Sequence, residues 1–136
     1  LFAVDMLRAA DLIIFIGMGS SGTLAKYGAR YFSNMGHFAV GLEDALYPIE
    51  TFRWNNTAVI ACSESGETER LIEAVGQFKK KKCSVLSITN SPLSTLAKLS
   101  DWNFSYNLNT KRMNGGYNGT TQIPVIFVME ALAKRI

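Results

Sequence analysis

The sequence predicts an α/β protein: a three-layer sandwich with a five-stranded parallel sheet and helices on both faces. Three observations carry this expectation. Short runs of β-type apolar residues alternate along the chain with segments of helical periodicity. The run Thr57–Cys62 is apolar at nearly every position, the pattern of a central parallel strand buried on both sides. Finally, two strands run straight into Gly/Ser turns that open helices, at Gly17-Met18-Gly19-Ser20-Ser21-Gly22 and at Ser63-Glu64-Ser65-Gly66-Glu67-Thr68. The 136 residues are enough for one domain with its own core, so residues 1–136 read as a single domain.

Taken in order, Ala3, Met6, Leu7 and Ala10 fall at helical spacing and predict an opening amphipathic helix. Asp11 separates it from a strand, Leu12–Ile16. After the first turn a helix runs from about Gly22 to Met35, with an expected inner face of Leu24, Tyr27, Gly28 and Tyr31. Gly36 suits the position just past its end. Phe38–Leu42 reads as the second strand, followed by an irregular or short helical piece to Phe52. Asn55-Asn56 is turn chemistry before the third strand. Leu71, Ile72, Val75 and Phe78 mark a helix from about Glu67 to Lys82. Ser84–Thr89 is the fourth strand, Leu93–Leu99 a short helix, and Trp102–Tyr106 the fifth strand. Asn107–Gly119 lacks periodicity and reads as a functional or disordered loop. The last helix, about Thr121 to Arg135, tolerates Pro124 in its first turn. It is apolar on nearly all sides, so a second covering surface, such as another subunit, is expected.

Composition narrows the classes. The chain is 48% hydrophobic and 18% charged, with net charge +3. No apolar stretch reaches the roughly 18–20 residues that span a bilayer, and no secretory signal is visible. A cytoplasmic setting is expected, with Cys62 and Cys83 reduced because they fall at opposite ends of parallel strands. On the same reading the triplets starting at Asn55 and Asn118 are chance glycosylation matches. The run Lys79-Lys80-Lys81-Lys82 falls where a helix should end, where cations complement the helix dipole. It lacks the interleaved aromatics and clustered arginines of a nucleic-acid patch. With one histidine and two separated cysteines, neither a metal nor a cofactor is expected. The chain starts with Leu rather than Met, which suggests a piece of a longer protein.

The two turns carry the chemistry. In open α/β sheets ligands bind beyond the carboxyl ends of strands where the strand order reverses. With order 2-1-3-4-5, strands one and three are neighbours and both hydroxyl-bearing turns face that point. Free N–H groups and a positive helix end then favour an anion. Hydroxyls without a Gly-Lys pair point to a phosphate monoester and away from a Walker-type triphosphate site. Competing readings exist. Ser65 and Thr68 could be ordinary helix caps. Gly17-x-Gly19-x-x-Gly22 also matches a dinucleotide fingerprint, with Glu43 or Asp44 as the ribose-binding acid, but that reading leaves the second turn without a role.

The paired turns, the spacing Ser63-x-Ser65-Gly66-x-Thr68, the following Ser87-Ile88-Thr89-Asn90-Ser91-Pro92 and the apolar last helix resemble the sugar isomerase (SIS) phosphosugar-binding domain. Within that family the chain is most similar to the effector domain of RpiR-type transcriptional regulators. The resemblance spans essentially the whole chain. It implies a flavodoxin-like parallel sheet, association as a homodimer or homotetramer, and binding of a sugar phosphate. By position, Ser21, Ser63, Ser65 and Thr68 would hold the phosphate, with Gly19, Ser20 and the backbone of Glu64 and Gly66 beside it. It further implies a helix-turn-helix domain, upstream of this sequence, that contacts DNA.

Isomerases of the family supply a base, often with histidine. The only histidine, His37, is expected in a surface turn at the wrong edge of the sheet. Glu43, Asp44, Glu64 and Glu67 remain conceivable bases; Glu67 is more simply a helix N-terminal acid, Glu64 could hydrogen-bond sugar hydroxyls, and Glu130 is structural or interfacial. The acid–base pair is incomplete, so sensing without turnover is expected, with no catalytic residue. A sugar-phosphate isomerase is the alternative, and a purely structural dimerisation module the weakest reading. Lys111 and Arg112 could fold over an anionic ligand as a lid.

Overall fold

The computed structural model describes residues 1–44 and 46–136. Its elements are α1 (Phe2–Arg8), β1 (Leu12–Gly17), α2 (Ser20–Asn34), β2 (Ala39–Leu42), β3 (Thr57–Cys62), α3 (Glu69–Lys80), β4 (Ser84–Thr89), α4 (Thr95–Leu99), β5 (Trp102–Ser105) and α5 (Ile123–Arg135), with a 3-10 turn at Ile49–Thr51. The sheet runs β2-β1-β3-β4-β5 and every pairing is parallel. The expected class and strand order are those observed.

Burial explains the layering. Every residue of β3 is buried. Alternate side chains of this strand feed two cores: Ala58, Ile60 and Cys62 join α1, α2 and α5, while Val59 and Ala61 join α3 and α4. Period-two alternation thus fills both faces of one strand. Cys62 and Cys83 are both free thiols, and burial pushes Cys62 up to about 12 and Cys83 up to about 11. Among the described residues no helix is long and apolar enough to cross a membrane.

The face of α2 differs from expectation. Its buried residues are Gly22, Ala25, Gly28, Ala29 and Phe32, whereas Tyr27 is 41% exposed and donates to Glu130 Oε2 at 2.6 Å. Leu24 and Tyr31 flank the core. The small residues let the helix lie close on the sheet. A Cβ at Gly28 would come 2.5 Å from the Phe15 ring and 2.9 Å from Met129 Sδ. Apart from Phe32, whose ring packs edge-on against Phe15 at 4.9 Å, the core side of α2 is made of small residues, so side-chain size does not mark it.

Other boundaries shift modestly. α1 ends at Arg8 and buries Ala3, Val4 and Leu7, leaving Ala10 beyond its end. α3 begins at Glu69, two residues later than expected, because the turn before it occupies Ser63–Thr68. Leu93 stays outside α4 and is exposed. Thr121 precedes α5, its Oγ1 accepting from the Ile123 N–H. α5 buries Val125, Met129, Leu132 and Ala133 but leaves Ile123 and Phe127 over 70% exposed. Those two are one helical turn apart and share a face.

Candidate functional site

The joint between β1 and α2 is closed by glycine. A Cβ at Gly17 would stand 2.5 Å from the Ser21 carbonyl oxygen, so only hydrogen fits where strand end and helix start meet. Gly19 takes φ +57, a region that disfavours side chains. The Ser21 and Gly22 N–H groups turn inward to Met18 and Gly19 carbonyls, while among the described residues those of Gly19 and Ser20 have no acceptor. They remain open at the N-terminus of a 15-residue helix.

The second turn uses its hydroxyls to shape itself. Ser63 Oγ accepts from the Gly66 N–H at 2.9 Å, and Ser65 Oγ accepts from the Glu67 N–H at 3.1 Å. An oxygen that accepts from the backbone keeps its own proton to give, so both hydroxyls are oriented as donors. Ser63 Oγ and Thr68 Oγ1 lie 3.5 Å apart. Thr68 sits at the N-cap of α3, rather than inside its first turn, and makes no capping bond. Ser94, by contrast, caps α4 by accepting from the Ala97 N–H. Thr68 is therefore not occupied as a cap. The N–H groups of Ser65 and Thr68 find no acceptor among the described residues.

Both turns open into one polar cleft of about 170 Å³, lined by Met18, Ser20, Ser21, Ser63, Glu64, Ser65, Thr68, Arg112 and Asn118. Six of the eight expected site residues line it. Gly19 is not among the lining residues, but its N–H is open at the turn. Gly66 lies buried against Ser94, and its N–H is engaged by Ser63, so that N–H does not face the cleft as expected. A larger hollow, about 370 Å³ between Tyr47, Phe52 and Trp54, lies at the opposite edge, where β1 and β3 begin, and neither turn reaches it.

Residues 107–122 are ordered by specific bonds. Arg112 and Asn118 form an antiparallel bridge, Met113 N–H donates to Tyr117 O, and Gly119 N–H donates to Lys111 O, making a small hairpin. Asn90 clamps its base through two 2.7 Å bonds with the Leu108 backbone. The Asn90 N–H also donates to the Glu64 carbonyl. The stretch Thr89-Asn90-Ser91 thus ties the second turn to the hairpin. The hairpin brings Arg112 Nη1 to 3.2 Å from Glu64 Oε1, while Lys111 does not line the cleft. Asn118 and Met18 had no signal in the sequence; the Gly115-Gly116 pair at positive φ marks the hairpin tip and could have revealed it.

The remaining acids are otherwise engaged. Glu43 pairs with Lys26 at 2.8 Å, and Asp44 accepts from the Leu46 N–H; Ala45, in the same segment, lies outside the described residues. Glu67 does not serve its own helix. It accepts from Thr95 Oγ1 at 2.6 Å and Thr95 N–H at 3.0 Å, capping α4 instead. These two bonds, the hydroxyl's first, hold its carboxyl below the usual 4.5. A depressed folded-state pKa stabilises above the ordinary value, and that stability is lost as pH falls through the lowered one. Melting temperature in Glu67→Gln is therefore expected to fall less steeply than in the wild type between about pH 5 and about pH 3; matched melts across that range check it. His37 packs edge-on against Phe32 in the turn before β2, on the far side from the cleft.

A family model described as SIS domain matches residues 6–133. An uncharacterized HTH-type transcriptional regulator of Clostridium perfringens is 27% identical over 130 residues, covering 94% of this chain and 46% of the relative. A glutamine–fructose-6-phosphate aminotransferase (isomerizing) of Mycolicibacterium smegmatis is 33% identical over 98 residues, 70% of this chain and 15% of the enzyme. Among solved structures, the Vibrio vulnificus NanR protein complexed with ManNAc-6P matches with TM-score 0.85 and 25% identity, over 98% of this chain and 51% of that one. The chain spans less than half the length of these curated relatives.

Proposed function

This chain belongs to the SIS domain family, and we propose that it is the sugar-phosphate-sensing effector domain of a transcriptional regulator of carbohydrate metabolism, binding its ligand without converting it. The observation that carries this reading is the single cleft into which donor hydroxyls from both turns open, beside two helix N-termini and one arginine. That set matches what a phosphate ester requires: many donors and positive potential. The HTH-type relative and the ligand-bound NanR structure support the sensing role.

In this reading residues 1–136 form the sensing domain of a longer cytoplasmic regulator whose DNA-binding domain lies upstream. The exposed Ile123–Phe127 face of α5 joins copies into a homodimer or homotetramer. Ligand binding favours one arrangement of the oligomer, and that arrangement sets the spacing of the DNA-binding domains.

One observation favours turnover: Glu64 places a buried carboxylate in the cleft, as an isomerase base would require. Proton transfer between neighbouring carbons also needs an acid to open the ring, and His37 is too far away to serve. Phosphorus NMR of the protein mixed in turn with hexose, pentose, amino-sugar and N-acetyl sugar phosphates separates the two readings. The expected result is a shifted or broadened peak that stays one species over hours. A new phosphate peak growing in would transfer the assignment to isomerase.

A further inference from the structure

The phosphate-type turns leave one group in the cleft without a role. Glu64 directly follows Ser63 at the end of the β3 strand path, and its side chain is only 5% exposed. Both carboxylate oxygens are shielded from solvent and accept no hydrogen bond among the described residues. The Arg112 guanidinium stands 3.2 Å away but lacks hydrogen-bond geometry. It offsets the charge without filling the lone pairs. A second polar atom nearby is in the same condition: the Tyr106 hydroxyl is buried and has no partner. Burial, and then the charge of Glu64, push that phenol up to about 12. It stays an O–H donor at neutral pH. Buried polar groups of native proteins are almost always paired, so an unpaired carboxylate in the cleft wall, with an unpaired phenol close behind it, marks a place for a ligand's polar atoms.

We infer that Glu64 is a specificity-determining residue, accepting from a hydroxyl or amino donor on the carbon skeleton of the phosphorylated ligand, with the Tyr106 hydroxyl as its donor counterpart. The inference rests on the sugar-phosphate reading above. A phosphate ester at neutral pH offers only acceptors, which the serine and threonine hydroxyls and open N–H groups can fill. It cannot donate to a carboxylate and is repelled by one. A site for the ester phosphate group alone, whose dianion has no proton to give, would gain nothing from a buried carboxylate at its wall. A sugar supplies what is missing, because each hydroxyl both donates and accepts and stands at a fixed reach from the phosphate. A site with buried polar groups awaiting such partners rejects ligands that lack them.

Calorimetric titration of wild type, Glu64→Gln and Tyr106→Phe with inorganic phosphate and with the same sugar-phosphate panel, ManNAc-6P included, tests this. The quantity read is the affinity ratio of the best-binding sugar phosphate to inorganic phosphate. In wild type the ratio is expected to lie well above one. In Glu64→Gln sugar-phosphate affinity should fall about tenfold or more, while inorganic phosphate binds about threefold tighter as a like charge disappears. Tyr106→Phe, which removes one oxygen, should also lower the ratio. Parallel losses for both ligands, or an unchanged ratio in Glu64→Gln, would overturn the inference and leave Glu64 a tether for the hairpin. A wild-type ratio near one across the panel would instead sink the underlying sugar-phosphate reading before any variant is compared.

Discussion

Gly66→Ala is expected to lower stability by about 3 kcal/mol and to remove ligand binding with it. Two independent effects add at this position. Gly66 has φ +67, where an L side chain is disfavoured by roughly 1–2 kcal/mol. A Cβ there would also collide with both Cβ and Oγ of Ser94. Because one of the clashing atoms is a Cβ, a rotamer change cannot relieve it, and overpacking of this kind typically adds about 1–3 kcal/mol. Moving Ser94 would further loosen the cap of α4. At about 3–4 °C per kcal/mol for a domain of this size, the melting temperature should fall by roughly 10 °C. A change under about 2 °C in a thermal melt would mean that the turn accommodates the methyl by a backbone shift. The close approach of Gly66 to Ser94 would then not be a fixed contact of the turn.

The double variant Ser65→Ala, Thr68→Ala is expected to show the opposite pattern, folded but unable to bind. Ser65 is exposed and Thr68 half-buried. Ser65 Oγ serves one backbone N–H, and Thr68 makes no cap. The structural loss is then about 1 kcal/mol. Each hydroxyl donating to a phosphate oxygen contributes about 1.5–3 kcal/mol as a charge-assisted bond. Losing both should weaken sugar-phosphate affinity by at least a hundredfold, about 2.7 kcal/mol. Calorimetry alongside a thermal melt checks both halves. Affinity within about threefold of wild type, with the fold intact, would remove these two hydroxyls from the site.

Much of the fold and site is legible in the sequence because it is local. The parallel α/β class follows from alternating periodicities, the order 2-1-3-4-5 enters as a supposition that lets the two turns meet, and the turn residues announce themselves by Gly and Ser spacing. Ser63, Ser65 and Thr68 can be placed together because they fall on one short turn. What escapes is carried by contacts between distant segments. Arg112 meets Glu64 only because Asn90 clamps Leu108 and a hairpin then reverses the chain. The sequence marks Arg112 as a basic residue in a Gly/Asn loop, but Lys111 beside it looks equivalent until the hairpin's alternation separates them. Tyr106 reads as the end of a strand, and nothing in its spacing shows an unpaired hydroxyl. Glu67 looks like an acid for its own helix and caps another, because its partner Thr95 lies 28 positions away. The sheet-facing side of α2 is hidden for the same reason. Its small residues matter through what they approach, Phe15 and Met129, and no helical pattern reveals that.

The central claim is that two separate turns form one anion site. Amide chemical-shift mapping tests it most directly, with backbone resonances followed as the best-binding sugar phosphate is added. The largest shifts are expected together at Gly19, Ser20, Ser65 and Thr68, whose N–H groups have no acceptor among the described residues. Shifts confined to one turn, or gathered around Tyr47, Phe52 and Trp54 at the opposite edge, would contradict it.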